Sequence, residues 1–66
     1  MFEKVLASLI GEMVVLYDDP KNPAGWAGKL AYNTERDSYS VNFLSFGSTR
    51  VEKIIVTNEK ISIHLK

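Results

Sequence analysis

The sequence predicts a mainly β domain in which a short N-terminal helix is followed by five short strands bent into a small barrel. Apolar residues recur at helical spacing only near the start of the chain. Residues 39–43 alternate strictly between apolar and polar side chains, which is typical of a half-buried strand. The other apolar runs are short and are separated by short turns, a pattern typical of closed or nearly closed barrels.

The N-terminal helix is predicted from one apolar stripe with the spacing i, i+3, i+4 and i+7. The stripe consists of Phe2, Val5, Leu6 and Leu9. Glu3 lies near the helix start, where the helix dipole favours a negative charge. Gly11 suits the left-handed conformation that commonly ends a helix. A helix this short is marginal alone, so its apolar stripe must pack on the strands.

The first two strands are predicted at residues 13–17 and 26–32, separated by a loop over residues 18–25. Both faces of the first strand are apolar, so both should be covered. In the second strand, Trp26, Leu30 and Tyr32 share a face, and we expect the two aromatic residues to lie in the core. Gly28 within this strand predicts a bulge or a sharp bend.

Residues 33–37 form a polar turn before the third strand, in which Tyr39, Val41 and Phe43 share the buried face. Gly47 and Ser48 mark the next turn. The fourth and fifth strands are predicted at Val51–Val56 and Ile61–Leu65. In the fifth strand the apolar residues face inward while Ser62 and His64 face outward.

The small size of the chain predicts self-association. Its 66 residues allow one domain, residues 1–66, and a core of that size usually needs a disulfide, a metal or a partner subunit. Cysteine is absent and there is a single histidine, so neither a disulfide nor a thiolate or histidine metal site is expected. Oligomerisation is the remaining way to stabilise the fold, although a well-packed monomer stays open.

Charge and hydropathy limit the possible partners and compartments. The 8 basic and 8 acidic residues balance, so any nucleic-acid contact must come from a few local groups rather than from a basic stripe. No stretch reaches the roughly 18 apolar residues of a membrane span. The first ten residues, with acidic Glu3, make a poor signal peptide. We therefore expect no membrane association and a cytoplasmic location, or the host cytoplasm if the gene is viral.

Three segments resemble the Sm-like family of ring-forming proteins (Sm, LSm and Hfq). Residues 6–16 are similar to the family's helix end and first strand, and residues 28–30 to the glycine-x-leucine of its bent second strand. Residues 55–61 stand where the family's second motif joins the last two strands. The resemblance implies a strongly bent, antiparallel five-stranded barrel that assembles into a closed ring of identical subunits. It also implies single-stranded RNA as a partner, in RNA metabolism or riboregulation.

The resemblance implies that RNA contacts two turns that face the central pore of the ring. The implied RNA-binding residues are Arg36, Asp37, Ser38, Asn58 and Lys60. The chain departs from the family at these turns. Thr34 and Ser38 stand where the family has an aspartate and an asparagine, and residues 57–58 are Thr-Asn where it has Arg-Gly.

A head-to-tail contact between copies is expected to use the last two strands, because an unpaired β-branched edge promotes aggregation. The residues expected in this contact are Ile54, Ile55, Val56, Ile61 and Ile63. A charge introduced at Ile55 or Ile61 should then break the assembly.

Two other functions are compatible with the sequence: a structural or protein-interaction ring without RNA recognition, and a small monomeric barrel that binds peptides or DNA. Trp26 and Tyr32 as stacking platforms for bases, and Tyr17 at a subunit contact, stay open as alternatives. His64 is expected to be solvated near the terminus. No spacing suggests a catalytic triad or a phosphate-binding loop, so we expect no enzymatic activity, no catalytic or metal-binding residues and no cofactor.

Overall fold

The chain folds into a mainly β structure with one short helix, as the sequence predicts. This computed structural model describes residues 2–18 and 22–66. The elements are α1 (Glu3–Ser8), β1 (Met13–Asp18), β2 (Asn22–Asn33), β3 (Ser38–Val41), β4 (Leu44–Phe46), a 3₁₀ turn (Ser48–Arg50), β5 (Val51–Val56) and β6 (Ile61–Leu65). The last two strands have the predicted bounds.

The strands form one mixed sheet in the order β4-β3-β2-β1-β6-β5. All neighbouring pairs are antiparallel except β1 and β6, which run parallel with Leu16 opposite Ile63. Among the described residues no ladder joins β4 to β5, so the sheet is not closed into a barrel. The prediction of a barrel of five antiparallel strands is therefore wrong in strand number, in closure and in the relative orientation of β1 and β6. β5 and β6 form a hairpin. Of the two strands, β6 pairs with β1 and runs parallel to it.

The sixth strand arises because the predicted third strand is interrupted at Asn42. Asn42 has a φ of +59°, a conformation that asparagine tolerates better than most residues. It forms a two-residue turn with Phe43, and Val41 pairs with Leu44 across it. Phe43 is therefore 94% exposed at the hairpin tip, which corrects its predicted place on the buried face.

The long strand β2 connects the two parts of the sheet. Up to Lys29 it pairs with β1, and from Leu30 to Asn33 it pairs with β3. A Cβ atom on Gly28 would lie 3.1 Å from the Asn42 backbone nitrogen. The register runs without a shift through Gly28, so this glycine permits a close approach of the β3–β4 turn and forms no bulge.

The core lies between α1 and the inner face of the curved sheet. Leu6 of the helix, Leu16 of β1 and Ile63 of β6 are completely buried. The rest of the core comprises Val14, Leu30, Tyr39, Val41, Phe46, Val51 and Leu65. Trp26 and Tyr32 point to the same side but are 42% and 38% exposed, which corrects their predicted place in the core.

Helix α1 is shorter than its apolar stripe predicted. Leu6 is buried and Phe2 and Leu9 pack on the core, but Val5 is largely exposed. Gly11 has the predicted left-handed φ, +91°, and its N–H donates to the Leu30 carbonyl at 2.8 Å. This hydrogen bond ties the exit of the helix to the point where β2 changes its pairing partner from β1 to β3.

The end of β1 differs from its predicted role as the start of a loop. Asp18 is the last residue of β1 and is buried, and the Arg50 guanidinium lies 3.3 Å from its carboxylate. β2 already begins at Asn22, so the predicted loop over residues 18–25 is too long. Its residues 19–21 lie outside the described part of the chain. The Asp18–Arg50 pair fixes the 3₁₀ turn against the end of β1.

Candidate functional site

The two turns that the sequence predicts to bind RNA project from the same end of the sheet. β2 runs antiparallel to β1, and β6 runs parallel to it, so β2 ends and β6 begins near the start of β1. The β2–β3 turn and the β5–β6 turn are the connections at these two points. Both turns therefore lie on the same side of the molecule.

The β2–β3 turn is organised by side chains at its two ends. The Asn33 Oδ1 atom accepts the backbone N–H of Glu35 at 3.0 Å and that of Arg36 at 3.3 Å. At the other end, the Tyr32 hydroxyl donates to the Asp37 carboxylate, which raises the pKa of this tyrosine above its ordinary value. Arg36 and Asp37 are exposed, and Ser38 is half-buried at the start of β3.

The β5–β6 turn is held by Thr57. Its hydroxyl oxygen accepts the N–H groups of Glu59 and Lys60 at 3.3 and 3.1 Å, and it also donates to the Lys60 carbonyl at 3.1 Å. A backbone hydrogen bond of 2.9 Å from Thr57 to Lys60 closes the turn. Asn58 and Lys60 are exposed. Thr57 therefore shapes this turn.

Lys60 belongs to a cluster with Tyr17 and His64. The Lys60 Nζ atom donates to the Tyr17 hydroxyl at 2.9 Å and lies 5.5 Å from the centre of the tyrosine ring. The rings of Tyr17 and His64 stack with centres 4.6 Å apart and planes 10° apart. His64 is consequently half-buried, which corrects the prediction of a solvated residue.

Sequence reasoning missed this cluster because the parallel register of β1 and β6 creates it. Tyr17 and His64 are direct partners in that register, 47 positions apart in the chain. No periodicity within either segment reports a pairing of this kind. The structure brings Lys60 close to Tyr17 and His64, whereas Arg36, Asp37 and Ser38 lie together at the separate β2–β3 turn.

The residues expected between subunits divide into two groups. β5 is an edge of the sheet, and its Ile55 and Val56 are 42% and 62% exposed, whereas Ile54 packs on the core. β6 has neighbours on both sides, with Ile61 partly buried against the core and Ile63 fully buried. Of these two strands, β5 alone lies at an edge of the described sheet.

Other features of the described residues do not suggest a further site. A cleft of about 240 Å³ lies between the helix start and the 3₁₀ turn, lined by Phe2, Glu3, Ser48, Thr49, Val51 and Lys66. Within residues 2–18 and 22–66, no three histidine or carboxylate side chains are grouped as a metal site would require. No described helix is long and apolar enough to cross a membrane.

Comparison with protein-family models, curated proteins and solved structures found no match to this chain.

Proposed function

We propose that the protein is an Sm-like subunit that assembles with copies of itself into a ring and binds single-stranded RNA at the two turns. The observation that carries this proposal is the projection of both turns from one end of the sheet. A ring that arranges the sheets side by side would repeat both turns on one side of the ring. The order of helix and strands and the three similar segments support the same reading.

The sheet edges support head-to-tail assembly. The two outer strands, β4 and β5, are different segments, so an edge-to-edge contact between them joins unlike surfaces. Such a contact is heterologous and either closes into a ring or continues as a fibre. Ile55 and Val56 expose apolar surface along β5, which pairing with a neighbouring copy would cover.

The chemistry of the turns suits RNA. Arg36 and Lys60 supply one cation each, and Asn58 supplies an amide that both donates and accepts hydrogen bonds. The turns also carry Glu35, Asp37 and Glu59, so RNA contact would depend on these individual donors, repeated once per subunit in a ring, and not on a net positive surface. Because both turns are held by Asn33 and Thr57, little ordering is needed when RNA binds.

The test is a titration of short U-rich and A-rich RNAs against the wild type and an Arg36→Ala/Lys60→Ala double variant. A Lys4→Ala/Lys66→Ala variant removes the same charge elsewhere and serves as the matched control. We expect the first variant to bind at least about tenfold more weakly. The slope of log K against log salt should also fall by about 1.4, since each lost phosphate contact on a single strand contributes about 0.7.

Equal losses in both double variants would show that binding depends on overall charge and not on the turns. No binding of either RNA by the wild type at low salt would reject RNA recognition. In that case a ring found in solution would be assigned to protein interaction or to a structural role.

A further inference from the structure

The outer face of the sheet carries a second pattern that the turns do not explain. Side chains directly opposite each other in neighbouring strands point to the same side, so the register identifies this face. Its residues are Ala27 and Lys29 on β2, Met13, Val15 and Tyr17 on β1, Ser62 and His64 on β6, and Lys53 and Ile55 on β5. We call these residues the outer face.

The middle of the outer face is mostly aliphatic and partly open to solvent. Met13 is 59% exposed, Ile55 is 42% exposed and Val15 is half-buried. Ser62 lies between Val15 and Ile55 on the predicted outward side, but its side chain is buried. The helix α1 packs on the opposite side of the sheet, where Leu6 belongs to the core. No described element therefore covers this aliphatic strip.

Lysines surround the strip. Lys29 lies opposite Met13, Lys53 lies opposite His64, and Lys60 reaches Tyr17. The pairing register of β5 with β6 shifts between Val51 and Lys53. Glu52 lies at this shift and is the acidic residue next to Lys53. Glu59 precedes Lys60 in the β5–β6 turn. The nine outer-face residues themselves include Lys29 and Lys53 and no carboxylate, so the face favours a negatively charged partner.

The tyrosine ring does not offer an open platform to a nucleic-acid base. A Cβ atom on Gly25 would lie 2.8 Å from Tyr17 Cε1, so the ring lies directly against the β2 backbone. His64 stacks on the ring, and Lys60 binds its hydroxyl. With aliphatic side chains beside an already occupied ring, the outer face suits a peptide better than a stacked base.

The dimensions of the outer face fit one helical segment. Four strands about 4.8 Å apart span roughly 14 Å, and the five residues from Met13 to Tyr17 extend about 13 Å along the strand. An α-helix with side chains is about 10 Å wide and rises about 5.4 Å per turn. Two to three turns of a helix therefore cover the aliphatic strip and leave the lysines at its borders.

We propose that the outer face binds an acidic amphipathic helix of a partner protein. The apolar residues of the helix lie on Met13, Val15 and Ile55, and its flanking carboxylates pair with Lys29, Lys53 and Lys60. The site shares Lys60 with the proposed RNA-binding turn, and it shares Lys53 and Ile55 with the edge strand β5. Pairing along that edge uses backbone groups and leaves these two side chains on the face of the sheet.

The test uses a helical peptide with leucines at i, i+3, i+4 and i+7 and glutamates at the flanking positions. Its binding is followed by amide chemical shifts of the ¹⁵N-labelled full chain. We expect shifts at β1, β6 and β5 and at least about tenfold weaker binding by a Lys29→Glu/Lys53→Glu variant. This variant leaves Lys60 intact, so a loss of peptide binding is distinguishable from a loss of RNA binding.

Two controls complete the experiment. Lys4→Glu/Lys66→Glu makes the same charge change away from the outer face and should bind the peptide as the wild type does. A Lys29→Gln/Lys53→Gln variant should show an intermediate loss, and it replaces the charge-reversal variant if that chain does not fold. Absence of outer-face shifts at 1 mM peptide (a concentration on the order of the weakest specific contacts) would overturn the proposal. Equal binding by all variants, or shifts of these residues by U-rich RNA and not by the peptide, would overturn it as well.

Discussion

The inner and outer faces of β1 and β6 differ completely although the two strands are neighbours at the centre of the sheet. On the inner side Leu16 and Ile63 are fully buried. On the outer side the same register pairs Tyr17 with His64, whose stacked rings remain partly accessible. The inner face stabilises the fold, while the outer face and the turns carry the groups available for partners. Substitutions on the two faces should therefore have different consequences.

The largest effect is expected from truncation of the inner face. Ile63→Ala leaves a cavity in the core and should lower the free energy of unfolding by about 3 kcal/mol. His64→Ala, at the next residue of the same strand, should cost less than about 1 kcal/mol because its ring is only half-buried. Denaturant unfolding at one fixed protein concentration measures both. Equal losses of unfolding free energy in the two variants would show that the two faces contribute equally to stability.

A smaller loss is expected at Gly25, where the outer face is sterically tight. Gly25 has a φ of +86°, and an added Cβ would lie 2.6 Å from Val15 Cγ1. Gly25→Ala should therefore cost about 1–3 kcal/mol. Gly47→Ala is the matched control, because its φ is −90° and the nearest atom to an added Cβ is 3.8 Å away. If the free energy of unfolding of Gly25→Ala equals that of the wild type, Tyr17 and Val15 are not fixed against β2.

The smallest effect concerns Tyr32, on the inner side of β2 where the core opens to solvent. Its hydroxyl donates to the Asp37 carboxylate, so the pKa of Tyr32 is raised above the ordinary tyrosine value of about 10. Because the pKa is raised, the hydrogen bond stabilises the fold fully at pH values below the pKa of this tyrosine in the unfolded chain. The contribution is lost as the pH rises through its pKa in the folded protein.

Ultraviolet titration of the phenols in the wild type and in Asp37→Asn measures this shift. The wild type should show a tyrosine that titrates above the ordinary value, and the pKa of this tyrosine should move towards the ordinary value in the variant. A curve unchanged by Asp37→Asn would show that the hydrogen bond does not hold the β2–β3 turn.

The sequence predicts the local parts of this structure and misses the parts that depend on distant pairing. The left-handed φ of Gly11, the polar turn before β3 and the bounds of β5 and β6 follow from nearby residues and are confirmed, although the helix itself already ends at Ser8. The turn at Asn42 was missed because Phe43 continues the apolar alternation of β3. Trp26 was placed in the core from its strand face alone, although it lies where the inner face is open.

The candidate sites divide in the same way. Both turns were singled out by the resemblance to the Sm-like family, and their binding of RNA stays a prediction. The cluster of Tyr17, Lys60 and His64 was not predicted because it requires the parallel pairing of β1 with β6. The lysines of the outer face likewise belong to three separate segments, and only the sheet register places them around one strip.

The most direct test of the assembly claim is the native mass of the protein, measured by mass spectrometry or sedimentation from micromolar to millimolar concentration. We predict one closed oligomer of fixed subunit number in the wild type. Val56→Glu, which places a charge on the exposed edge of β5, should shift it to monomer, whereas Lys4→Glu should leave it intact. A folded wild-type monomer across the whole concentration range would contradict the ring, and an oligomer unaffected by Val56→Glu would contradict its contact through β5.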